Sequence, residues 1–221
     1  MAYASLTLRL GAPAVPTVFE GIEIIEAAAQ TTTGEPAPVI LRARSGAAVS
    51  KALAERQADD LVIVNGDLAL DQEGSIAVLN LRTLCVAYPD QFLNDVVLVG
   101  RLSGNFKVAE KSVSTSLATD RFVNREPVTD WFRIRFYGGQ ADRLQTVPKG
   151  SLLTCCGMLD SRTNKEGNPY PEIKGRTFRV IRKGKGSSAG TPNPAAGTTA
   201  VGYDQADFEQ DDENSFPLNW D

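Results

Sequence analysis

Apolar residues recur at every second position over short runs bounded by Gly, Pro, Asn and Asp, a pattern that predicts a chain built mainly of strands. Leu6, Leu8 and Leu10 alternate with Ser5, Thr7 and Arg9, as in a half-buried strand. Further strands are expected over 18–28, 39–44, 61–70 and 76–87, with an alanine-rich helix at 47–58. The pattern then starts again. Strands are expected over 96–102, 113–122, 131–137, 151–162 and 173–183, with a helical turn at 140–145. Three strands, a helix and two strands is the element order of the OB fold, a partly open five-stranded barrel with an exposed binding face. The fold class expected is therefore mainly β: two tandem OB-fold barrels, each of five strands plus a short helix.

The two halves are copies of one module. Residues 35–68 align without a gap on 126–159, with about 8 identities in 34 pairs, which marks a diverged internal repeat. Arg42 falls on Arg133, Arg44 on Arg135, Leu53 on Leu144, Leu61 on Leu152, Gly66 on Gly157 and Leu68 on Leu159. Arg82-Thr83 meets Arg176-Thr177 after a small insertion. The domains expected are 1–93, a degenerate copy serving as scaffold and oligomerisation unit, and 94–185, the binding copy. Residues 186–221 form a flexible linker ending in an interaction tip. Around 184–202 the chain holds Gly, Ser, Ala, Thr, Pro and Asn without large apolar groups, too little burial to offset ordering. Large apolar residues return at Phe216, Leu218 and Trp220, with Pro217 between them, after a run of carboxylates.

Composition matters chiefly through its distribution. The chain has 221 residues, 42% hydrophobic, enough for a core in each of two roughly 90-residue units. Residues 1–94 hold 6 Lys/Arg and 11 Asp/Glu, residues 95–186 hold 17 and 9, and residues 187–221 hold none and 7. The net charges of −5, +8 and −7 point to a phosphate-binding module with an acidic tail. Histidine is absent, which removes the commonest general base and most zinc chemistry, so neither catalysis nor a cofactor is expected. Cys85, Cys155 and Cys156 form no ligand spacing, and Cys155 is expected in the core. No apolar run approaches the ~20 residues of a membrane helix, and the first ten residues do not read as a signal peptide. A cytoplasmic, nucleoid-associated protein without membrane insertion is expected.

Candidate binding chemistry concentrates in 130–137. Side chains alternate faces in a strand, so Phe132, Ile134 and Phe136 form the core side. Trp131, Arg133, Arg135 and Tyr137 share the other, where rings offer platforms to bases and guanidinium groups meet phosphates. In the first copy Trp131 is replaced by Ile40 and Tyr137 by Gly46, while Arg42 and Arg44 remain. Two loops of the second copy add Arg121, Phe122 and Arg125, then Arg162, Lys165 and Tyr170. Arg176 follows on the last strand.

Residues 95–183 resemble the bacterial single-stranded-DNA-binding protein family. The resemblance rests on Asp130-Trp131-Phe132-Arg133-Ile134 followed by Tyr137-Gly138, and on Lys149-Gly150-Ser151, Gly157-Met158-Leu159, Ser161-Arg162 and Ser116-Leu117-Ala118-Thr119. It implies that Trp131 and Tyr137 are base-stacking aromatics, with Phe122 near another. The aromatic that the family carries just after Arg162 is replaced here by Thr163-Asn164. The tail is similar to the family's acidic tip, which docks replication, repair and recombination proteins, although Leu218-Asn219-Trp220-Asp221 follows Phe216-Pro217 in place of a terminal Phe. The resemblance also implies a homodimer presenting four OB folds. A chain with one degenerate copy is similar to the cyanobacterial thylakoid-associated branch, which would place it peripherally at that membrane. Competing readings are RNA binding and an OB-fold protein-interaction adaptor.

Overall fold

The structure is a computed structural model in which residues 1–123 and 125–185 are described. The linker from 186 onward and the tip residues Phe216, Pro217, Leu218 and Trp220 lie outside the described residues, as does Asn124. The first copy runs β1 (Ala2–Leu10), β2 (Val15–Phe19), β3 (Ile22–Thr31), β4 (Pro38–Arg44), α1 (Ala48–Ala54), β5 (Leu61–Leu70) and β6 (Ala77–Val86). The second runs β7 (Asn94–Leu102), β8 (Lys107–Ala109), β9 (Ser112–Val123), β10 (Glu126–Tyr137), α2 (Gly138–Gln145), β11 (Leu152–Thr163) and β12 (Pro169–Arg182).

Each copy closes into a five-stranded barrel. In the first, β1 pairs with β3, β3 with β4, β4 with β6 in parallel, β6 with β5, and β5 returns to β1. The second repeats this circuit through β7, β9, β10, β12 and β11, again with one parallel pair, β10–β12. The alternation read from the sequence explains the interior. Ala2, Ala4, Leu6, Leu8 and Leu10 all face inward on β1, as do Phe132, Ile134 and Phe136 on β10. Each short helix plugs the end of its barrel with one leucine: Leu53 from α1 and Leu144 from α2 are both fully buried. No helix of the described residues is long and apolar enough to cross a membrane.

Positions matched in the repeat do the same structural work. Gly66 and Gly157 each sit at a register shift, where an added Cβ would lie 2.2 Å from the Asn80 carbonyl oxygen or 2.4 Å from that of Lys174. Such close backbone approach admits only glycine. Val64 and Cys155 occupy equivalent buried positions.

Three elements differ from expectation, one of them the short strand β8, which no expected strand covers. The single strand expected over 18–28 is a hairpin, β2 and β3, turned at Glu20 (φ 53°) and Gly21 (φ 77°). Two successive left-handed residues make the tight turn that suits strand twist, and the apolar run across Val18, Phe19 and Ile22 conceals it. The helix expected over 47–58 stops at Ala54, because the chain must reverse at Asp59 (φ 69°) to enter β5.

The barrels share one sheet through their first strands. Ala2 to Leu6 of β1 pair antiparallel with Leu98 to Asn94 of β7, so Ala4 lies opposite Val96. The same edge of β1 serves β3 through Leu8, Arg9 and Leu10. Between these stretches, Thr7 donates its N–H to the Leu93 carbonyl (2.6 Å) and accepts the Leu93 N–H on Oγ1 (2.9 Å). Buried Asn94 extends the seam: its Nδ2 donates to the Leu159 carbonyl (2.8 Å) and its Oδ1 accepts the Leu159 N–H (2.8 Å). The Glu35 N–H donates to Asp160 Oδ1 at 3.0 Å, tying a first-copy loop to β11.

Gly157→Ala is expected to destabilise the protein by about 1–3 kcal/mol, as overpacking does. Gly139→Ala, on α2 with open space around the added methyl, should be neutral or stabilising by up to about 1 kcal/mol. Urea unfolding of both variants checks the pair, and equal stabilities would refute the steric account of the bulge.

Candidate nucleic-acid interface

The outer face of the second barrel is built by three strands in register. On β10 the outward residues are Trp131, Arg133, Arg135 and Tyr137, lying opposite Ala118, Ser116, Ser114 and Ser112 of β9. The facing β9 side chains are small; on β10 Arg133 and Tyr137 are exposed, and Trp131 and Arg135 are half-buried. From Trp131 to Tyr137 the row runs roughly 20 Å, six residues at about 3.3 Å each. On the other flank β12 runs parallel, with Arg135 beside Lys174, and contributes Tyr170, Glu172 and Lys174. The face continues up the β9–β10 hairpin to Phe122, opposite Pro127 and 78% exposed.

The cations on this face differ in how they are held. Arg133 is exposed, lies 4.2 Å from the Tyr170 ring centroid and makes no ion pair among the described residues. Stacking of a guanidinium on a ring fixes the orientation of both while leaving its N–H groups available. Arg135 is anchored: Nε and Nη2 donate to the two carboxylate oxygens of Glu172 at 2.8 and 3.0 Å, and Nη1 to Ser112 Oγ at 3.3 Å. The Glu172 side chain is only 3% exposed. Removing one partner from such a buried pair costs about 3–5 kcal/mol, because it strands the other charge. The hydrogen bond to Glu172 raises the Arg135 pKa above its ordinary value, with burial acting in opposition.

Arg162, on β11, joins the same cluster. Its Nε lies 3.3 Å from Glu172 Oε2 without a well-directed hydrogen bond, and Nη2 donates to the Tyr137 hydroxyl at 2.9 Å. The Lys174 ammonium lies 5.7 Å from the centroid of the same tyrosine ring. Tyr137, 39% exposed, is thus held at its hydroxyl by Arg162 and flanked by a second cation.

Two residues expected at the interface are engaged in ion pairs off the β10 row. Arg121 faces the opposite side of the hairpin from Phe122 and pairs with buried Asp130, Nε to Oδ2 at 2.6 Å. Arg176, the unpaired residue of the β12 bulge, pairs with Asp95 at 2.5 Å and donates to the Asn94 carbonyl at 2.9 Å, which draws it to β7. Lys165 is exposed in the β11–β12 turn. Arg125 is exposed at the hairpin tip with φ 71°. Glu172 and Lys174 were not singled out in the sequence. Their alternation with Tyr170 carried the signal, but it gains meaning only once β12 is known to lie beside β10.

The first barrel offers a different face at the matching place. Arg42 is committed to Glu26 at 2.8 Å and lies 3.9 Å from the Phe19 ring centroid. Ile40 stands where Trp131 stands in the second copy, and only Arg44 is exposed on β4. Elsewhere, Cys155 is buried and its thiol is pushed up to about 12, first by loss of solvation, whereas Cys85 is exposed. In the folded protein iodoacetamide at pH 8 should label Cys85 first, Cys156 more slowly and Cys155 only after unfolding. Mass mapping that found Cys155 labelled as fast as Cys85 would contradict the packing of β11.

No protein-family model matches the chain, and no curated protein matches it. Among solved structures it is similar to the wild-type single-stranded DNA binding protein from Thermus aquaticus, with a TM-score of 0.62 and 15% identity, covering 86% of this chain and 97% of that one. A deletion variant of the same Thermus protein gives a TM-score of 0.61 at 14% identity, covering 83% and 96%. A small single-stranded DNA binding protein from Mycoplasma pneumoniae gives 0.35 at 16% identity, covering 42% of this chain and 98% of that one. The two-barrel likeness to the Thermus protein establishes the paired OB fold.

Proposed function

We propose that this chain binds single-stranded DNA through the outer face of its second barrel, without reading base sequence. The observation that carries the reading is the row of Trp131, Arg133 and Tyr137 on one face of β10, lined by small β9 side chains and extended by Tyr170 and Phe122. Aromatic faces accept any base and cations track the backbone, which together give affinity without sequence readout. The Thermus protein that shares the two-barrel fold is named for the same ligand. The first barrel serves as scaffold, since its Arg42 is already paired and its β4 carries no outward aromatic. The role is binding rather than catalysis. The acidic tail recruits replication, repair and recombination proteins through Phe216, Pro217, Leu218 and Trp220, and two chains associate to present four barrels.

Titration of labelled oligo-dT, oligo-U and duplex DNA at two salt concentrations tests the ligand class. Tight oligo-dT binding with weak duplex binding is expected. Preference for oligo-U would favour RNA, and no binding at all would leave the adaptor reading. Trp131→Ala should lose about 1–3 kcal/mol of single-strand affinity. Arg133→Gln should flatten the salt dependence by about 0.7 in log–log slope, one phosphate contact on a single strand, whereas Arg42→Gln should not. Equal slopes for the two arginine variants would sink the assignment of the two faces.

For the tail, pull-downs from the native lysate with full-length protein and with Phe216→Ala/Trp220→Ala should differ in captured replication proteins while oligo-dT affinity stays unchanged. Identical captures would remove the tip as a docking element. Sedimentation equilibrium of the full chain reads the association state, with twice the 23.8 kDa chain mass expected.

A further inference from the structure

The middle of the proposed binding face holds a carboxylate. Glu172 lies on the outward side of β12, yet it is nearly inaccessible because Arg135 and Arg162 close over it. A negative charge at the centre of a surface meant for a polyanion calls for a physical account. Structural accident is a poor one, since Glu172 takes both ends of the Arg135 guanidinium in a bidentate pair and still faces Arg162. Two guanidinium groups sharing one carboxylate leave the cluster with a single net positive charge. Arg162 spends a further N–H on the Tyr137 hydroxyl, so the pair acts on the orientation of a stacking ring.

We infer that Glu172 is a fixed counter-anion and positioning residue of the binding face. It holds Arg135 and Arg162 as supports for the Tyr137 platform and leaves phosphate neutralisation to the exposed cations Arg133 and Lys174. A nucleic-acid phosphate cannot take Arg135 without stranding the Glu172 carboxylate beneath it, and that carboxylate is screened from water. Arg133 carries no such burden, because its guanidinium stacks on the neutral Tyr170 ring.

The inference rests on the single-strand-binding reading above and is tested on the full chain with oligo-dT over a salt series. Glu172→Gln preserves shape and one acceptor but removes the charge, freeing guanidinium charge for the ligand. The salt slope should steepen by about 0.7 for each phosphate gained. Arg135→Gln/Glu172→Gln removes a whole ion pair at constant net charge, and its slope should match the parent protein. Thermal melts of both variants establish that they are folded, and the charge-neutral double variant decides if the single variant is not. A single variant with the parent slope, or a double variant whose slope flattens by about 0.7, overturns the inference, since Arg135 would then be a phosphate contact. Failure of the parent protein to bind oligo-dT would instead refute the function proposed above.

Discussion

A strand has two edges, and β1 must satisfy three partners with them. One edge is given wholly to β5, and the other is divided between β7 at the start of the strand and β3 at its end. The division falls at Thr7, whose backbone and side chain turn to the connector at Leu93 instead of a strand. Every larger feature depends on this partition. If β3 took the whole edge, the first barrel would close tightly and the second would have nothing to join. If β7 took it, the first barrel would open and expose Leu8 and Leu10. The alternation along β1 allows the compromise, because all five inward residues remain buried whichever partner lies alongside.

Within that frame the copies keep the same scaffold and differ in a few outward side chains. Gly66 and Gly157 hold matching bulges, and Leu53 and Leu144 plug matching barrel ends. On β4 and β10 the inward positions are apolar in both, apart from buried Asp130, which stands where Val39 stands in the first copy. The outward positions are Ile40, Arg42 and Arg44 in one and Trp131, Arg133 and Arg135 in the other. Arginine at a matched position does not have a matched role. Arg42 is held by Glu26 and Arg133 by a tyrosine ring, so one is neutralised and the other keeps its charge available. The difference between the two faces lies in such partners and not in the fold.

The sequence made the barrels legible because strand alternation and the repeat are local properties of the chain. It also placed Trp131, Arg133 and Tyr137 on one face, since parity within a strand needs no tertiary knowledge. It could not show which cations are already occupied. Glu172 is 37 residues from Arg135, and Asp95 is 81 residues from Arg176, so no local pattern joins them. Arg121 and Phe122 are adjacent in sequence yet face opposite sides of their hairpin. Parity alone separates them, because the two strands continue to Val123 and Glu126. The turn at Glu20-Gly21 was hidden for the converse reason: its backbone conformation is unusual while its neighbours look like uninterrupted strand.

The seam between β1 and β7 pairs five residues on each side, with Ala4 meeting the residue that occupies its own place in the other copy. Were the barrels separate polypeptides, this seam would weaken on dilution by mass action. Here the strands belong to one chain, and only residues 87–93 separate the end of β6 from the start of β7. A tether of that length holds one partner at an effective concentration of roughly millimolar around the other. The pairing therefore persists however scarce the protein is in solution. It also frees each barrel from having to be its own mirror partner, so that one could turn acidic while the other gathered cations.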